Sequence, residues 1–178
     1  MEPTFILHRH PFQNTSWLLE LFTLNHGRFS AVARSARGPK SRYRGQLEPF
    51  FPLLTAWTGK RELKTLTLAE TESAPLILTG NALFSGFYLN ELLIKLLHRE
   101  DPHPQLFSAY QTALLELSKG SALLEITLRR FEKKLLEELG YGLNLSHTTD
   151  THAPIQPEMH YQFIPQQGLI LTPEPFVG

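Results

Sequence analysis

Six cations and no acid stand between Gly27 and Gly45, in the run G-R-F-S-A-V-A-R-S-A-R-G-P-K-S-R-Y-R-G. They are Arg28, Arg34, Arg37, Lys40, Arg42 and Arg44. The whole chain has a formal charge of zero, so composition does not explain the run. Like charges this dense repel one another unless a polyanion compensates them. The chemistry they suit is contact with phosphates, which depends on charge and position and not on base sequence. Phe29 and Tyr43 lie in the same run and could stack on bases, the sequence-tolerant supplement on single strands. Their plainer roles are core for Phe29 and loop anchor for Tyr43, and the plainer role of the whole segment is a solvated loop.

Three other groups bear reactive side chains. Arg129 and Arg130, in L-R-R-F-E, fit a solvated helix face carrying Glu125–Arg129 and Lys133–Glu137 pairs four residues apart. From pattern alone the solvated face is the better reading, and the alternative is a receptor, beside apolar pockets, for the carboxylates of an acidic peptide. His147, His152 and His160 with Asp150 are metal-ligand types, but their spacing matches no standard site and no metal is expected. Glu70 and Glu72 share one strand face, and nothing in the pattern puts them in a cleft. There is no cysteine, which removes disulfides, thiolate nucleophiles and cysteine zinc sites and fits a reducing cytoplasm. No G-x-x-x-x-G-K-[ST], G-x-S-x-G or H-E-x-x-H occurs. No residue calls for an enzyme or a cofactor.

The charge is sorted along the chain. Residues 1–64 carry ten Lys/Arg against four acids, and residues 65–178 carry seven against thirteen, a split of +6 and −6. Such asymmetry indicates a polyanion partner for one part and two domains with different work. Strands are predicted over 4–10 (ended by Pro11), 15–24, 28–35, 50–57 (broken by Pro52) and 63–70, with a turn at Asn25-His26-Gly27 and another over 58–61. Residues 35–45, rich in Gly, Ser and Pro, read as a flexible loop with Gly38 and Gly45 as pivots. Five short strands in about 70 residues, with no helix between most of them, indicate a small closed barrel, and the OB-fold is the commonest solution of that size.

From residue 81 the period changes. Asn81 is placed to cap a helix running to about His98, apolar on more than one face and hence expected to be largely buried. Asp101-Pro102 should start a second, ended by Gly120, and Ser121 should cap a third, ended by Gly140. Residues 144–158 read as a long loop, followed by a hairpin of 161–164 with 169–171. The fold class is therefore α+β, with an OB-fold nucleic-acid-binding domain over 1–79 and a helical domain with a loop and hairpin extension over 80–178. No signal peptide or membrane span is read, and the end at Gly178, without cap or closing helix, reads as truncated.

Several stretches in order carry a resemblance: F-I-L-H-R-H-P-F-Q-N-T-S-W-L-L-E-L-F-T (5–23), G-R-F-S-A-V-A-R-S-A-R-G (27–38), L-E-P-F-F-P-L-L (47–54), F-S-G-F-Y-L-N-E-L-L (84–93) and L-R-R-F-E-K-K-L-L-E-E-L-G-Y-G (128–142). Together they resemble the RecO family of recombination mediators, of the proteobacterial kind, from residue 4 to about 171. The resemblance implies an N-terminal OB-fold followed by a helical domain. It implies binding of single- and double-stranded DNA, annealing of complementary strands, and partnership with RecR in loading RecA onto DNA coated by single-strand-binding protein (SSB). No nucleotide hydrolysis is implied. The DNA surface would include the barrel with Arg28, Arg34, Arg37, Lys40, Arg42, Tyr43 and Arg44. The acidic, hydrophobic SSB tail would sit on the helical domain at Arg129, with Arg130 beside it. Many relatives carry four zinc-binding cysteines after G-Y-G, absent here, and continue into further helices. The rival readings are an RNA-binding OB module and a protein adaptor that grips acidic partners.

Overall fold

A computed structural model describes residues 1–59, 62–120, 124–142, 144–165 and 167–173. Five strands come first: β1 (Glu2–Phe12), β2 (Ser16–Thr23), β3 (Gly27–Ala33), β4 (Leu53–Thr58) and β5 (Leu63–Thr71). They close into a barrel in the order β1-β2-β3-β5-β4, with β3 parallel to β5 and every other neighbour antiparallel. This is the expected OB-fold, and with the helices that follow the chain is α+β. Every second residue along a strand faces inward. Ile6, Leu19, Leu21, Phe29, Ala31, Ala33, Leu53, Leu66 and Ala69 fill the barrel, with Trp17 and Trp57 packed at its edge.

Strand β1 must serve two partners, and its irregularity shows how. Glu2–Thr4 pair with β4, and the register to β2 shifts between Ile6 and His8. The strand does not stop at Pro11 as its sequence suggests. Pro11 lies opposite Trp17 within the β1–β2 ladder, and the hairpin turns only after Phe12, with Gln13 at φ 50°. Beyond Thr4 the other edge of β1 pairs with no described strand, so a missing N–H is tolerated there. Phe50, at φ 66°, leaves the extended region, so β4 begins after Pro52 and not at residue 50. The β2–β3 turn places Gly27 at φ 67°, as expected.

Three helices follow: α1 (Gly80–Leu96), α2 (Pro104–Ser118) and α3 (Leu124–Glu138). Thr79, not Asn81, occupies the N-cap of α1, and no side chain closes it. The first-turn proline of α2 is Pro104 with His103 as cap, not Pro102 with Asp101. Ser121 and residues 60–61 of the β4–β5 turn lie outside the described residues. The α1 helix is not buried all round. Ala82, Ser85, Gly86, Leu89, Asn90 and Leu93 face inward, whereas Phe84, Phe87 and Tyr88 stay exposed. Gly86 explains the close packing, because a Cβ there would lie 2.6 Å from Leu78 Cδ1 and 2.9 Å from the Phe50 ring.

The first compact unit, Met1–Leu135, joins barrel to helices through a polar thread in an aromatic core. Asn90 Nδ2 donates to the Leu7 carbonyl (2.8 Å), and the Tyr110 hydroxyl donates to Asn90 Oδ1 (2.5 Å). The rings of Phe5, Phe22 and Phe131 pack against that tyrosine, and its full burial pushes the phenol far above its usual range, so it is a fixed donor. The second unit, Leu136–Gly178, holds the end of α3, an irregular segment and the hairpin of β6 (His160–Ile164) with β7 (Gly168–Thr172). Gly140, at φ 81°, ends the third helix, its N–H returning to the Glu137 carbonyl. Among the described residues no helix is long and apolar enough to cross a membrane.

Candidate nucleic-acid interface

The cationic loop leaves β3 at the pole of the barrel where β1 turns into β2 and β5 begins. The register fixes this: Trp17, the second residue of β2, pairs with Ala33 at the end of β3, and Val32 pairs with Thr65 near the start of β5. The loop is not the free flexible segment its composition suggests. Arg37 N donates to Thr15 O (2.7 Å), Gly38 N to Ser35 O, Ser41 N to Gly38 O and Gln46 N to Tyr43 O, a succession of tight turns. Ala36, Tyr43 and Leu47 turn inward and join the barrel core. Gly45 carries the positive φ (72°) expected of a pivot, whereas Gly38 has none.

With its apolar residues committed inward, the loop presents its cations outward. Arg34, Arg37, Lys40, Arg42 and Arg44 are all exposed. Arg34, Arg37, Lys40 and Arg44 have no acidic partner among the described residues. Two guanidiniums lie against Trp17, Arg37 at 5.4 Å and Arg9 of β1 at 4.6 Å from the ring centre. Arg9 is itself held by Glu48 (2.6 Å) and by the Leu47 carbonyl (3.0 Å), so it braces the loop and is not a free charge. Arg42 sits over Tyr43 at 4.7 Å and donates to its hydroxyl and to Thr67 O, both at 2.7 Å. A depression of about 570 Å³ lies among Thr15, Arg34, Gly38, Lys40, Arg42 and Tyr43. A second, of about 510 Å³, lies between Phe12, Ser16, Val32, Leu63 and Thr65. Thr15, Arg34 and Ser35 border both, so the two depressions are neighbours on either side of Arg34.

Two expected members do not belong to this surface. Arg28 is buried, with its guanidinium bound to Glu20 Oε2 (3.0 Å) and to the Leu97 carbonyl (3.0 Å). It faces the segment between α1 and α2, because β3 alternates and only Arg34, at its far end, clears that segment. Tyr43 is 4 % exposed and roofed by Arg42, so it anchors the loop and offers no stacking face. Phe29 is core, as its plainer reading held. The second depression contains what sequence reasoning did not single out: Phe12, Ser16, Val32 and Leu63. Leu63 had one visible signal, an apolar residue beginning a strand whose later inward positions are Leu66 and Ala69.

Arg129 and Arg130 are exposed on α3. Arg129 pairs with Glu132 (2.5 Å), three residues on, and not with Glu125. Glu132 also accepts from the Tyr88 hydroxyl (2.9 Å), so Arg129 stands next to the exposed Phe84–Phe87–Tyr88 face of α1. Burial and that hydrogen bond hold the Tyr88 phenol above its usual range. Arg130 approaches Glu116 (3.9 Å) at the rim of a depression of about 240 Å³ lined by Ala109, Ala113 and Phe131. In the second unit His147, His152 and Asp150 spend their polar atoms locally, and the Thr151 N–H keeps the Asp150 carboxyl below its usual range. Among the described residues no three His, Cys, Asp or Glu are grouped to hold a metal ion.

Comparison with known proteins adds a sequence-wide result. The family model "Recombination protein O N terminal" matches residues 2–74, and "Recombination protein O C terminal" matches residues 78–173. The chain is 55 % identical over 171 residues to a DNA repair protein RecO of Coxiella burnetii, covering 96 % of this chain and 73 % of the relative. It is 50 % identical over 171 residues to one from Nitrosospira multiformis (96 % and 70 % covered) and 46 % identical over 177 residues to one from Marinobacter nauticus (97 % and 72 %).

Proposed function

Since this chain belongs to the RecO family and so has a role in DNA repair and recombination, we propose that it is a non-enzymatic DNA-binding and strand-annealing mediator. The observation that carries this reading is the set of five exposed cations, Arg34, Arg37, Lys40, Arg42 and Arg44, on a braced loop at one pole of the barrel. Fixed cations without acidic partners hold phosphates of either single or double strands. By neutralising two complementary strands at once they lower the repulsion that keeps them apart, and base pairing then proceeds. In the cell the protein acts in the cytoplasm with RecR to load RecA on SSB-coated DNA. The acidic, apolar SSB tail docks beside Arg129 and Arg130, where guanidiniums adjoin the exposed aromatic face of α1 and the Phe131 depression. There a tail carboxylate displaces Glu132 from Arg129.

The test is charge reversal of Arg37, Lys40 and Arg42 together, followed by DNA titration across a range of salt. If the loop neutralises about four phosphates of a single strand, log K against log[salt] has a slope near −3, and the triple variant loses about two to three phosphate contacts' worth of that slope. Unchanged affinity in a folded variant removes the loop from the site.

A further inference from the structure

The phosphate-binding cations explain affinity for any DNA, but the neighbouring depression also sets three apolar side chains, Phe12, Val32 and Leu63, among its polar ones. Leu19 and Leu21 point into the barrel, so Leu18 and Glu20 point out, and on β3 the outward residues are Arg28, Ser30 and Val32, with Arg34 just past the strand's end. The outer face divides at Ser30. On one side, the segment 97–101 lies across it: Glu100 N donates to Arg28 O (2.8 Å), Arg99 Nη1 to Ser30 Oγ (2.7 Å), and Arg99 also reaches Glu20 (3.3 Å) and Glu62 (3.4 Å). Lys64 fixes the same segment through Glu100 (2.6 Å). Gly27 makes the approach possible, since a Cβ there would lie 2.1 Å from Asp101 O. On the other side, two residues or about 7 Å along β3, Val32 is the floor of an open depression. Half-buried Phe12, exposed Leu63 and the cations Arg34 and Lys64 line it as well. Its volume of about 510 Å³ is within the range of pockets that take small organic ligands.

A half-buried aromatic, an exposed leucine and a valine lining one depression, beside a guanidinium with no acidic partner among the described residues, suit a planar group joined to a phosphate. We propose that this depression takes an unpaired base of single-stranded DNA, stacked on Phe12 and bounded by Val32 and Leu63, with its phosphate on Arg34. The segment 97–101 ends the strand's path, so bases are read only on the Phe12 side of Ser30. This rests on the DNA-binding reading above and deepens it: the cations serve all DNA, and the Phe12 pocket serves unpaired bases.

The experiment compares three probes by fluorescence anisotropy: an oligo-dT strand, the same strand fully abasic, and a duplex. Phe12→Leu keeps apolar volume and removes the aromatic face. The parent should bind oligo-dT about tenfold more tightly than the abasic strand, the usual worth of one base stacked on an aromatic side chain. Phe12→Leu should lose that margin while its duplex affinity and salt slope stay at the parent's values. A variant that keeps the full margin overturns the proposal, and so does a parent with no margin. Failure of every probe to bind the parent would instead overturn the cationic reading. As a check that needs no variant, 5-iododeoxyuridine strands should photo-crosslink to Phe12 in the parent. Adducts confined to Leu18, Glu20 or residues 97–101 would refute the placement.

Discussion

Arg28 tests most directly whether a cation in the basic run binds DNA or holds the fold. Its side chain is 10 % exposed and that of Glu20 12 %, and the two meet at 3.0 Å. Glu20 is the hub: it also takes Arg99 at 3.3 Å and the Ser30 hydroxyl. Removing one member of a buried, hydrogen-bonded pair costs about 3–5 kcal/mol, because the other charge is left without its partner. The two truncations should therefore differ. After Arg28→Ala, Glu20 keeps Arg99 and Ser30, so the loss lies at the low end, about 3 kcal/mol. After Glu20→Ala, Arg28 keeps, among the described residues, only the Leu97 carbonyl, and its buried Nε remains unsatisfied, so the loss lies at the high end, about 5 kcal/mol. For a cooperative unit of this size about 1 kcal/mol moves the melting temperature by ~3–5 °C, giving roughly 10 °C for Arg28→Ala and more for Glu20→Ala. The assay is thermal melting by circular dichroism beside DNA titration at a temperature where each variant is folded. Arg28→Ala should keep the parent's DNA affinity and salt slope. A variant with unchanged melting and weakened DNA binding would refute the reasoning and return Arg28 to the interface.

Gly27→Ala should destabilise the protein by at least the ~1–2 kcal/mol that a left-handed φ costs a residue with a Cβ, with further loss from displacing Asp101; denaturant melts measure it. His8 is held below the usual 6.5 by burial and then by the His10 ring, with Glu20 opposing. A histidine whose pKa falls on folding contributes full stability above the unfolded value, and that contribution declines as pH drops below about 6.5. Melting from pH 8 to 5 should show the decline, His10→Gln should lessen it, and an NMR titration placing His8 at or above 6.5 would contradict it. Arg129→Ala should weaken binding of an acidic SSB-tail peptide severalfold in calorimetric titration while leaving DNA affinity unchanged; equal affinity for the peptide removes Arg129 from that site.

Much of this molecule follows from local sequence. The strands, the Gly27 turn, the change of period at residue 80 and the hairpin near the end were legible because side-chain alternation and turn chemistry act over a few residues. The basic character of the barrel was legible because charge adds up whatever the fold. The starts of α1 and α2 lie two residues from where capping preference puts them, at Thr79 and at His103-Pro104. What local pattern could not contain was direction. Six cations in one run look alike in sequence, yet β3 turns Arg28 toward Glu20 and Leu97 while the loop turns Arg34, Arg37, Lys40, Arg42 and Arg44 to solvent. The same geometry buries Tyr43 and Phe29 and brings Phe12 and Leu63, 51 residues apart in the chain, into the lining of one depression. Sequence determined that this barrel would be positively charged; tertiary structure alone decided which charges are free, because burial depends on what the chain brings back against each face.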